Sequence, residues 1–247
     1  ILMTCKTLFI FDFDHTLIDT NSDTFFLKQT ENELIHELRA MQGACWTDSV
    51  DFFLGKLNEL GYSSKQILET LHDCPLSVEM LALIELLEKQ SNHRLHILSD
   101  ANNLFIDAIL KFHNIDNCFE KITTNPARID AKTDRIVLNR FVLADDEPHG
   151  CELCPLNLCK GKVLLEWQEE LKNSNDMANE WKVVYVGDGR GDLCPALNLQ
   201  ENDLVFVRKK YGLEKALIER SEQQKPAPKA KLVYWNDAAD LYKKMCF

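Results

Sequence analysis

The chain has 247 residues and carries 28 basic against 39 acidic side chains, which gives a formal charge of −11. Nucleic-acid affinity comes mostly from Lys and Arg neutralising phosphates, so this balance argues against a nucleic-acid partner. With 45% hydrophobic and 27% charged residues, the composition is globular and excludes disorder, collagen and coiled coil. The length suits one large domain, or a core domain with an insertion.

The chain shows no sign of secretion or of membrane insertion. Its apolar start, Leu8 to Phe11, is too short for the hydrophobic region of a signal peptide and runs straight into Asp12. The nine cysteines are an odd number, and we interpret them as mainly reduced thiols in a cytoplasmic protein. No stretch of about 18 apolar residues occurs, so we expect no transmembrane helix and no membrane partner.

Five short apolar runs are typical of strands buried on both faces of a parallel sheet. They cover residues 7–11, 95–98, 183–186, 204–207 and 232–235. Segments with a helical spacing of apolar residues lie between them, at 102–113, 161–171 and 211–220. This alternation predicts an α/β fold with a Rossmann-like parallel sheet flanked by helices, and ligands at the carboxyl ends of the strands.

Between the first and second strands the strand pattern disappears and several helices follow one another. Ser63 with Gln66 is typical of a capping box, and Ser77 precedes a strongly apolar helix. We predict a helical cap over residues 21–92, inserted into an α/β core formed by residues 1–20 and 93–247. Later in the chain, residues 135–138 indicate a small hairpin, and the proline-containing segment 221–231 indicates an exposed loop.

The strongest chemical signal comes directly after the first strand, where Asp12 and Asp14 lie two residues apart. In extended backbone such residues face the same way, so both carboxylates are expected at the edge of the sheet. Two carboxylates that close repel each other unless a cation lies between them or one is protonated. Mg²⁺ prefers such oxygen ligands. An isolated Asp-x-Asp is better explained as a strand followed by an acidic turn, but further motifs in order favour the metal site.

Those motifs are Ser99-Asp100 after the second strand, Lys160 at the start of a helix, and the glycine-rich segment 187–192 with Asp188 and Asp192. An alternating sheet points all of them at the same edge. A hydroxyl and an ammonium donate to phosphate oxygens, and a further acidic cluster completes a magnesium site. Taken singly, the lysine would be a solvated helix residue and the glycine-rich segment a turn.

Together these motifs resemble the haloacid dehalogenase superfamily of phosphatases. Asp12, Asp14 and Thr16 match its first motif, Ser99 the second, Lys160 the third, and Asp188 with Asp192 the fourth. Closer still, the chain resembles the phosphoethanolamine/phosphocholine phosphatase family, which includes pyridoxal phosphate phosphatases. The matching segments are 11–16, 21–24, 98–102, 151–161 and 186–195, so the resemblance spans nearly the whole chain.

The resemblance implies magnesium-dependent hydrolysis of small phosphomonoesters through an aspartyl-phosphate intermediate. Asp12 would be the nucleophile, which divides one difficult displacement into two steps. Asp14 would protonate the leaving oxygen and then deprotonate water. Magnesium would be held by Asp12, the backbone carbonyl of Asp14, and Asp188.

The remaining motif residues are given supporting roles by the same resemblance. Ser99 and Lys160 would hold the phosphoryl oxygens. Thr16 and Asp192 would support the site, the latter by orienting Lys160 or a metal-bound water. Gly191 departs from the superfamily, which often has Asn before the last Asp, and this departure bears on the role of Asp192.

Asp23 and Asp100 are assigned to the substrate pocket by the resemblance. Extra carboxylates beside a phosphate site suit a substrate with a cationic end, such as an ethanolamine, a choline or a pyridine nitrogen. The alternative is that Asp23 caps the first inserted helix and Asp100 caps the helix that starts near Asn102. A helical cap over the site would admit small molecules and disfavour phosphoprotein substrates.

Two other functions compete with a phosphomonoesterase of this kind. A relative with the same core would hydrolyse pyrophosphate or thiamine monophosphate. A non-catalytic protein would merely bind a phospholigand on the same scaffold. The pair of Asp12 and Asp14 disfavours the binding protein, because binding needs no acid/base carboxylate two residues from the nucleophile.

A Cys-rich loop within the core, over residues 143–160, carries His149, Cys151, Cys154 and Cys159. Four soft ligands so close together resemble a structural zinc site, although the spacing is not that of a standard finger. The alternative is a reduced, thiol-rich loop packed under its own Pro155 and Leu158. Cys194, after the fourth motif, is predicted to be a buried small thiol.

Overall fold

The computed structural model describes residues 6–41, 45–143, 147–173 and 181–246. Its strands are β1 (Thr7–Phe11), β2 (His93–Asn102), β3 (Lys121–Asn125), β4 (Ala127–Ile129), β5 (Ile136–Leu138), β6 (Lys182–Gly187), β7 (Leu204–Arg208) and β8 (Lys231–Trp235). Six of them form a parallel sheet in the order β3-β2-β1-β6-β7-β8. The predicted α/β fold is confirmed. The sequence pattern missed β3, whose polar run Lys-Ile-Thr-Thr-Asn lies at an edge of the sheet.

The helices are α1 (Ser22–Gln29), α2 (Leu34–Ala40), α3 (Trp46–Glu59), α4 (Ser64–Thr70), α5 (Val78–Glu88), α6 (Asn103–Phe112), α7 (Lys160–Asn173), α8 (Leu193–Asn198), α9 (Gly212–Glu222) and α10 (Ala238–Cys246). Within the described ranges, none of these helices combines the length and the apolarity that a membrane crossing requires. The predicted hairpin is formed by β4 and β5, which pair antiparallel. The predicted loop is shorter than expected, because α9 continues to Glu222.

Both faces of the sheet are covered, which explains why its strands read as continuous apolar runs. Phe9 and Phe11 of β1 belong to one hydrophobic cluster with residues of α5, α6 and α10. Leu8 and Ile10 point to the other face and belong to a second cluster with α7, α8 and α9. The alternation along each strand therefore places every second residue in a different core layer.

Helices α1 to α5 fill the chain between β1 and β2. Ser63 and Gln66 form the predicted capping box at the start of α4. Residues of α1 to α4 pack in the same cluster as α6, where the rings of Phe26 and Phe105 lie 5.2 Å apart. Helix α5 packs against β2 and α10. The division of the chain into a core and a cap over residues 21–92 stays a prediction.

One buried histidine of the sheet makes the stability of the protein depend on pH. His96 in β2 is 2% exposed and meets the ring of Trp167 edge-on at 4.6 Å. Neither ring nitrogen has a hydrogen-bond partner within the described ranges, although Glu120 lies 3.9 Å from Nε2. Burial, and then the charges of Lys121 and Arg94, lower the pKa of His96 to about 4.

We therefore expect His96 to destabilise the fold in acid. The unfolded chain takes up a proton near the ordinary histidine pKa of 6.5, whereas the folded chain does so only near 4. Stability is thus unaffected above about pH 6.5 and falls as the pH drops toward 4, by about 2 to 3 kcal/mol at pH 4.5. Urea unfolding at pH 7 and pH 4.5 should show a smaller acid loss for His96→Leu than for the unchanged chain. His36→Leu, at an exposed position of α2, is the control, and an equal acid loss in all three proteins would contradict the assignment.

Candidate active site

The carboxyl end of β1 leads directly into a tight turn over Phe13–Leu17. Asp12 accepts a hydrogen bond on Oδ1 from the backbone N–H of Phe13 at 2.7 Å. His15 adopts a left-handed φ of 53°, and its N–H donates to the carbonyl of Thr20 at 2.8 Å. This turn leaves both Asp12 and Asp14 buried at the edge of the sheet.

Lys160 lies between two of the predicted carboxylates. Its Nζ is 2.9 Å from Oδ1 of Asp12 and 2.8 Å from Oδ1 of Asp192, and its side chain is 5% exposed. As the first residue of α7, it is carried to the sheet edge by the helix start, as the sequence indicated. Burial disfavours the ammonium, but the charges of Asp12 and Asp192 outweigh it, so the pKa of Lys160 stays well above its usual range.

Asp192 is fully buried and satisfied by donors on both of its oxygens. Besides Lys160, the hydroxyl of Tyr185 donates to Oδ1 at 2.7 Å. The N–H groups of Asp188 and Gly189 donate to Oδ2 at 3.0 and 2.8 Å. Sequence reasoning missed Tyr185, because its position in β6 has the pattern of an ordinary core strand residue.

Gly187 makes room for this arrangement. A Cβ at Gly187 would lie 2.5 Å from Oδ2 of Asp192, closer than atoms pack. The glycine that precedes Asp188 is therefore required for Asp192 to fold back against its own loop. Among the clustered glycines of the fourth motif, Gly187 is thus the one at which Asp192 leaves no room for a side chain.

Three carboxylates converge at this edge of the sheet. Oxygens of Asp12, Asp188 and Asp192 all lie within 4.8 Å of one another. Burial, followed by the charge of Asp192, raises the pKa of Asp12 well above its usual range and that of Asp188 to about 7. The hydroxyl of Thr16 donates to Oδ1 of Asp188 at 3.2 Å and opposes the rise. The arrangement concentrates negative charge where a cation would relieve it.

Asp14 is held apart from that cluster by groups at the start of α1. The amide of Asn21 donates to its Oδ2 and the N–H of Ser22 to its Oδ1, both at 2.9 Å. Burial and the neighbouring charge of Asp23 raise the pKa of Asp14 well above its usual range. Its surroundings therefore favour the protonated form of the carboxyl more than water does.

Neither Asp23 nor Asp100 is a helix cap. Asn21 caps α1 by accepting from the N–H of Thr24 at 3.0 Å, and Asn102 caps α6. Asp23 is instead buried in the first turn of α1, where its Oδ2 accepts from the indole of Trp46 at 2.8 Å. Burial raises the pKa of Asp23 to about 7. The capping interpretation of both residues is therefore wrong.

A cavity of about 410 Å³ opens beside these residues. It is lined by Cys45, Trp46, Thr47, Asp100, Arg140, Cys154, Pro155, Leu156, Asn157, Leu158, Lys160 and Gly191. Its walls come from the start of α3 and from the loop before α7, and Asp100 is exposed to it at the end of β2. The volume suits a small-molecule ligand. Ser99 precedes Asp100 and is fully buried, with its Oγ accepting from the N–H of Ala101 at 3.3 Å.

Two buried asparagines hold the loop wall in place, and sequence reasoning assigned them no role. Asn157 donates to Oδ1 of Asn125 and to the hydroxyl of Thr47, both at 3.0 Å. Asn125 donates in turn to the carbonyl of Asp100 at 2.5 Å and to that of Ala101 at 3.0 Å. The network joins β3, α3 and the loop through groups distant in sequence, so no local signal could have revealed it.

The Cys-rich loop differs from the expected ligand set in one member. Sulfur atoms of Cys151, Cys154, Cys159 and Cys194 lie within 4.8 Å of one another. His149 instead faces its own loop, with Nε2 2.8 Å from the carbonyl of Pro155 and Nδ1 accepting from the N–H of Cys151 at 3.0 Å. The thiol of Cys154 donates to Cys194 and holds the pKa of Cys194 at about 6. His149 does not belong to this group of ligand atoms, and the start of α8 supplies a fourth sulfur, that of Cys194. The predicted zinc site with His149 stays a prediction.

Comparison with known proteins agrees with the geometry. The model of the Putative Phosphatase family matches residues 7–247. The pyridoxal phosphate phosphatase PHOSPHO2 of Bos taurus is 31% identical over 245 residues, which cover 98% of each chain. A thiamine phosphate phosphatase-like protein of Arabidopsis thaliana is 37% identical over 213 residues, covering 86% of this chain and 84% of its own.

The fold has a matching solved structure. A phospho-aspartyl intermediate analogue of phosphoserine phosphatase superposes with a TM-score of 0.59 over 98% of this chain and 99% of its own, at 14% identity. The resemblance to the haloacid dehalogenase superfamily and to its phosphoethanolamine/phosphocholine and pyridoxal phosphate phosphatases is thereby confirmed. The chain belongs to the Putative Phosphatase family and is a phosphatase of the haloacid dehalogenase type.

Proposed function

We propose that this phosphatase hydrolyses small phosphomonoesters with a cationic end, in a magnesium-dependent reaction through an aspartyl phosphate on Asp12. The observation that carries the proposal is the position of Lys160, whose ammonium binds Asp12 and Asp192 at once beside Asp188. This arrangement places a cationic phosphate-binding group directly on the nucleophile's carboxylate. The substrates proposed first are phosphoethanolamine, phosphocholine and pyridoxal 5′-phosphate.

The residues present fit a magnesium ion. Asp12 and Asp188 bring buried carboxylate oxygens within 4.8 Å of each other, and both have raised pKa values that a cation would lower. Asp192 is already satisfied by Lys160, Tyr185 and two backbone N–H groups, so it is an anchor and not a ligand. Asp12, Asp188 and the backbone carbonyl of Asp14 would hold Mg²⁺, which when bound would offset the repulsion between carboxylate and phosphate.

The chain's own residues account for the proton and bond changes. A carboxylate oxygen of Asp12 forms a bond to phosphorus as the ester P–O bond breaks. Asp14, whose protonated form is favoured by burial and by the charge of Asp23, donates its proton to the leaving alcohol oxygen. Water then attacks the phosphoaspartate while the Asp14 carboxylate takes up its proton, which releases phosphate and restores both carboxyl groups. Lys160 and Ser99 are proposed to hold the phosphoryl oxygens through these steps.

Two residues of the cavity wall support a cationic substrate end. Trp46 and Asp100 both line the cavity that Lys160 reaches. Asp23 accepts from the indole of Trp46 and so fixes the ring, rather than lining the cavity itself. An aromatic face and a carboxylate attract an ammonium, a quaternary amine or a cationic ring. Asp100 is thus proposed to bind the cationic group, and Asp23 to position the indole.

Replacement of the nucleophile tests the mechanism. We expect Asp12→Asn to lower the rate of p-nitrophenyl phosphate hydrolysis at least about a thousandfold, because the amide cannot form the phosphoaspartate. EDTA should abolish the activity of the intact protein, and Mg²⁺ alone should restore it. Asp116→Asn, in the turn before β3, is the control and should keep full activity. Undiminished hydrolysis by Asp12→Asn, or in EDTA, would overturn the mechanism.

A substrate panel tests the cationic end. Asp100→Asn should lower kcat/KM for phosphoethanolamine, phosphocholine and pyridoxal phosphate by about ten- to a hundredfold, because a charge pair is lost. Its kcat/KM for pyrophosphate should stay level or rise, because a negative charge facing a polyanion is removed. Asp73→Asn, at an exposed position before α5, is the matched control. An equal loss on every substrate would reject the role of Asp100, and pyrophosphate as the best substrate would establish the alternative function. Thiamine monophosphate has a cationic ring as well, so its kcat/KM should fall with those of the first three substrates.

A further inference from the structure

Four cysteine sulfurs meet beside the candidate active site, and the proposed reaction makes no use of them. Sγ of Cys194 lies 3.6 Å from that of Cys151 and 3.9 Å from that of Cys159. Cys154 completes a set in which all four sulfurs lie within 4.8 Å of one another. The convergence brings three residues of one loop to a fourth from the start of α8.

Two of the separations between these sulfurs fit those of ligands to one metal ion. Zinc–sulfur bonds of about 2.3 Å in a tetrahedron place neighbouring sulfurs about 3.8 Å apart. The two measured separations, 3.6 and 3.9 Å, bracket this value. A disulfide bond would require about 2.05 Å. All four residues are free cysteines, so the cluster is reduced.

The start of α7 is shaped around the cluster. A Cβ at Gly161 would lie 2.4 Å from Sγ of Cys194, so a larger residue would push this sulfur out of place. The backbone N–H of Gly161 donates to Cys194, and that of Lys162 donates to Cys159. These donors lie at the positive end of a helix of 14 residues. The helix start therefore leaves room for the sulfur of Cys194 and supplies backbone donors to two of the four sulfurs.

We propose that Cys151, Cys154, Cys159 and Cys194 bind one structural Zn²⁺ ion as a four-thiolate site. Four soft sulfur donors in a closed tetrahedral set are typical of structural zinc, whereas Mg²⁺ takes oxygen ligands. The site is thus chemically distinct from the carboxylate cluster and would not compete for the same ion. Its ligands deprotonate on binding.

The position of the site means that a bound zinc ion would hold neighbouring segments of the chain together. Cys159 directly precedes Lys160, and Cys194 follows Asp192 by two residues. Cys154 lines the same cavity as Lys160. One ion bound here would therefore link the cavity loop, the start of α7 and the fourth motif, and would position the ion pair of Lys160 and Asp192 without touching substrate.

Metal content tests the proposal without reference to activity. The intact chain, produced in zinc-supplemented medium and purified without chelators, should contain about one zinc per chain by mass spectrometry. X-ray absorption should give four sulfur neighbours at about 2.3 Å. Cys194→Ser should reduce zinc to less than about a tenth of an equivalent. Cys74→Ser, at a buried cysteine of the other hydrophobic cluster, and His149→Ala should both retain it.

Several outcomes would overturn the assignment. They are an intact chain without zinc, iron in place of zinc, or zinc that persists in Cys194→Ser but disappears in His149→Ala. If Cys194→Ser fails to fold, a mercurial thiol reagent titrated into the intact protein decides the question. Release of one zinc for four thiols supports the site, and modification of the thiols without zinc release refutes it. Loss of zinc with unchanged magnesium-dependent hydrolysis would limit the role of the ion to stability.

Discussion

The buried ammonium of Lys160 is the constraint on which the rest of the site depends. Its side chain is 5% exposed, and moving a charge of this kind out of water costs several kcal/mol unless it is paired. Asp12 and Asp192 supply the pairing from β1 and from the loop after β6. The start of α7 and both of these segments must therefore meet at the same edge of the sheet. Removal of either carboxylate would leave buried charge with less compensation.

The carboxylates of the site differ in their hydrogen-bond partners and therefore in their properties. Asp192 receives four donors, which hold its carboxyl in place against Lys160. Asp12 and Asp188 share the crowded edge, where burial and repulsion raise their pKa values. Asp14 accepts hydrogen bonds from Asn21 and Ser22 instead, which hold it apart from these carboxylates in the way that its proposed role in proton transfer requires. Residues of one chemical type thus acquire different properties from their surroundings.

The cavity wall depends on contacts between distant segments in the same way. Trp46 at the start of α3 is fixed by Asp23, and the loop before α7 is fixed by the amides of Asn125 and Asn157. These groups hold polar atoms that would be costly to leave buried without partners. The proposed zinc ion would also hold this loop, through the sulfurs of its cysteines. The cavity wall is therefore held in place by parts of the chain to which the proposed mechanism gives no reacting atom.

The order of the motifs, the residues proposed for chemistry and five of the six strands of the sheet could be predicted from the sequence. Continuous apolar runs indicate strands buried on both faces, and the carboxyl ends of parallel strands share one edge. Asp12, Lys160 and Asp188 could therefore be assigned to one site before any coordinates were known. The polar edge strand β3 could not, since its residues carry little of the apolar signal.

The partners of the buried polar groups, in contrast, follow from the packing of distant segments. Tyr185 has the sequence pattern of a core residue, but in the fold its hydroxyl donates to Asp192. Cys194 lies 35 residues after Cys159 in the sequence, and the packing of α8 on α7 brings their sulfurs together. Asp23 looked suited to capping a helix, but Asn21 takes that position and leaves Asp23 to bind Trp46. Hydrogen bonds and metal ligation depend on distances of a few ångströms. Such distances between remote residues are set by packing and not by local sequence.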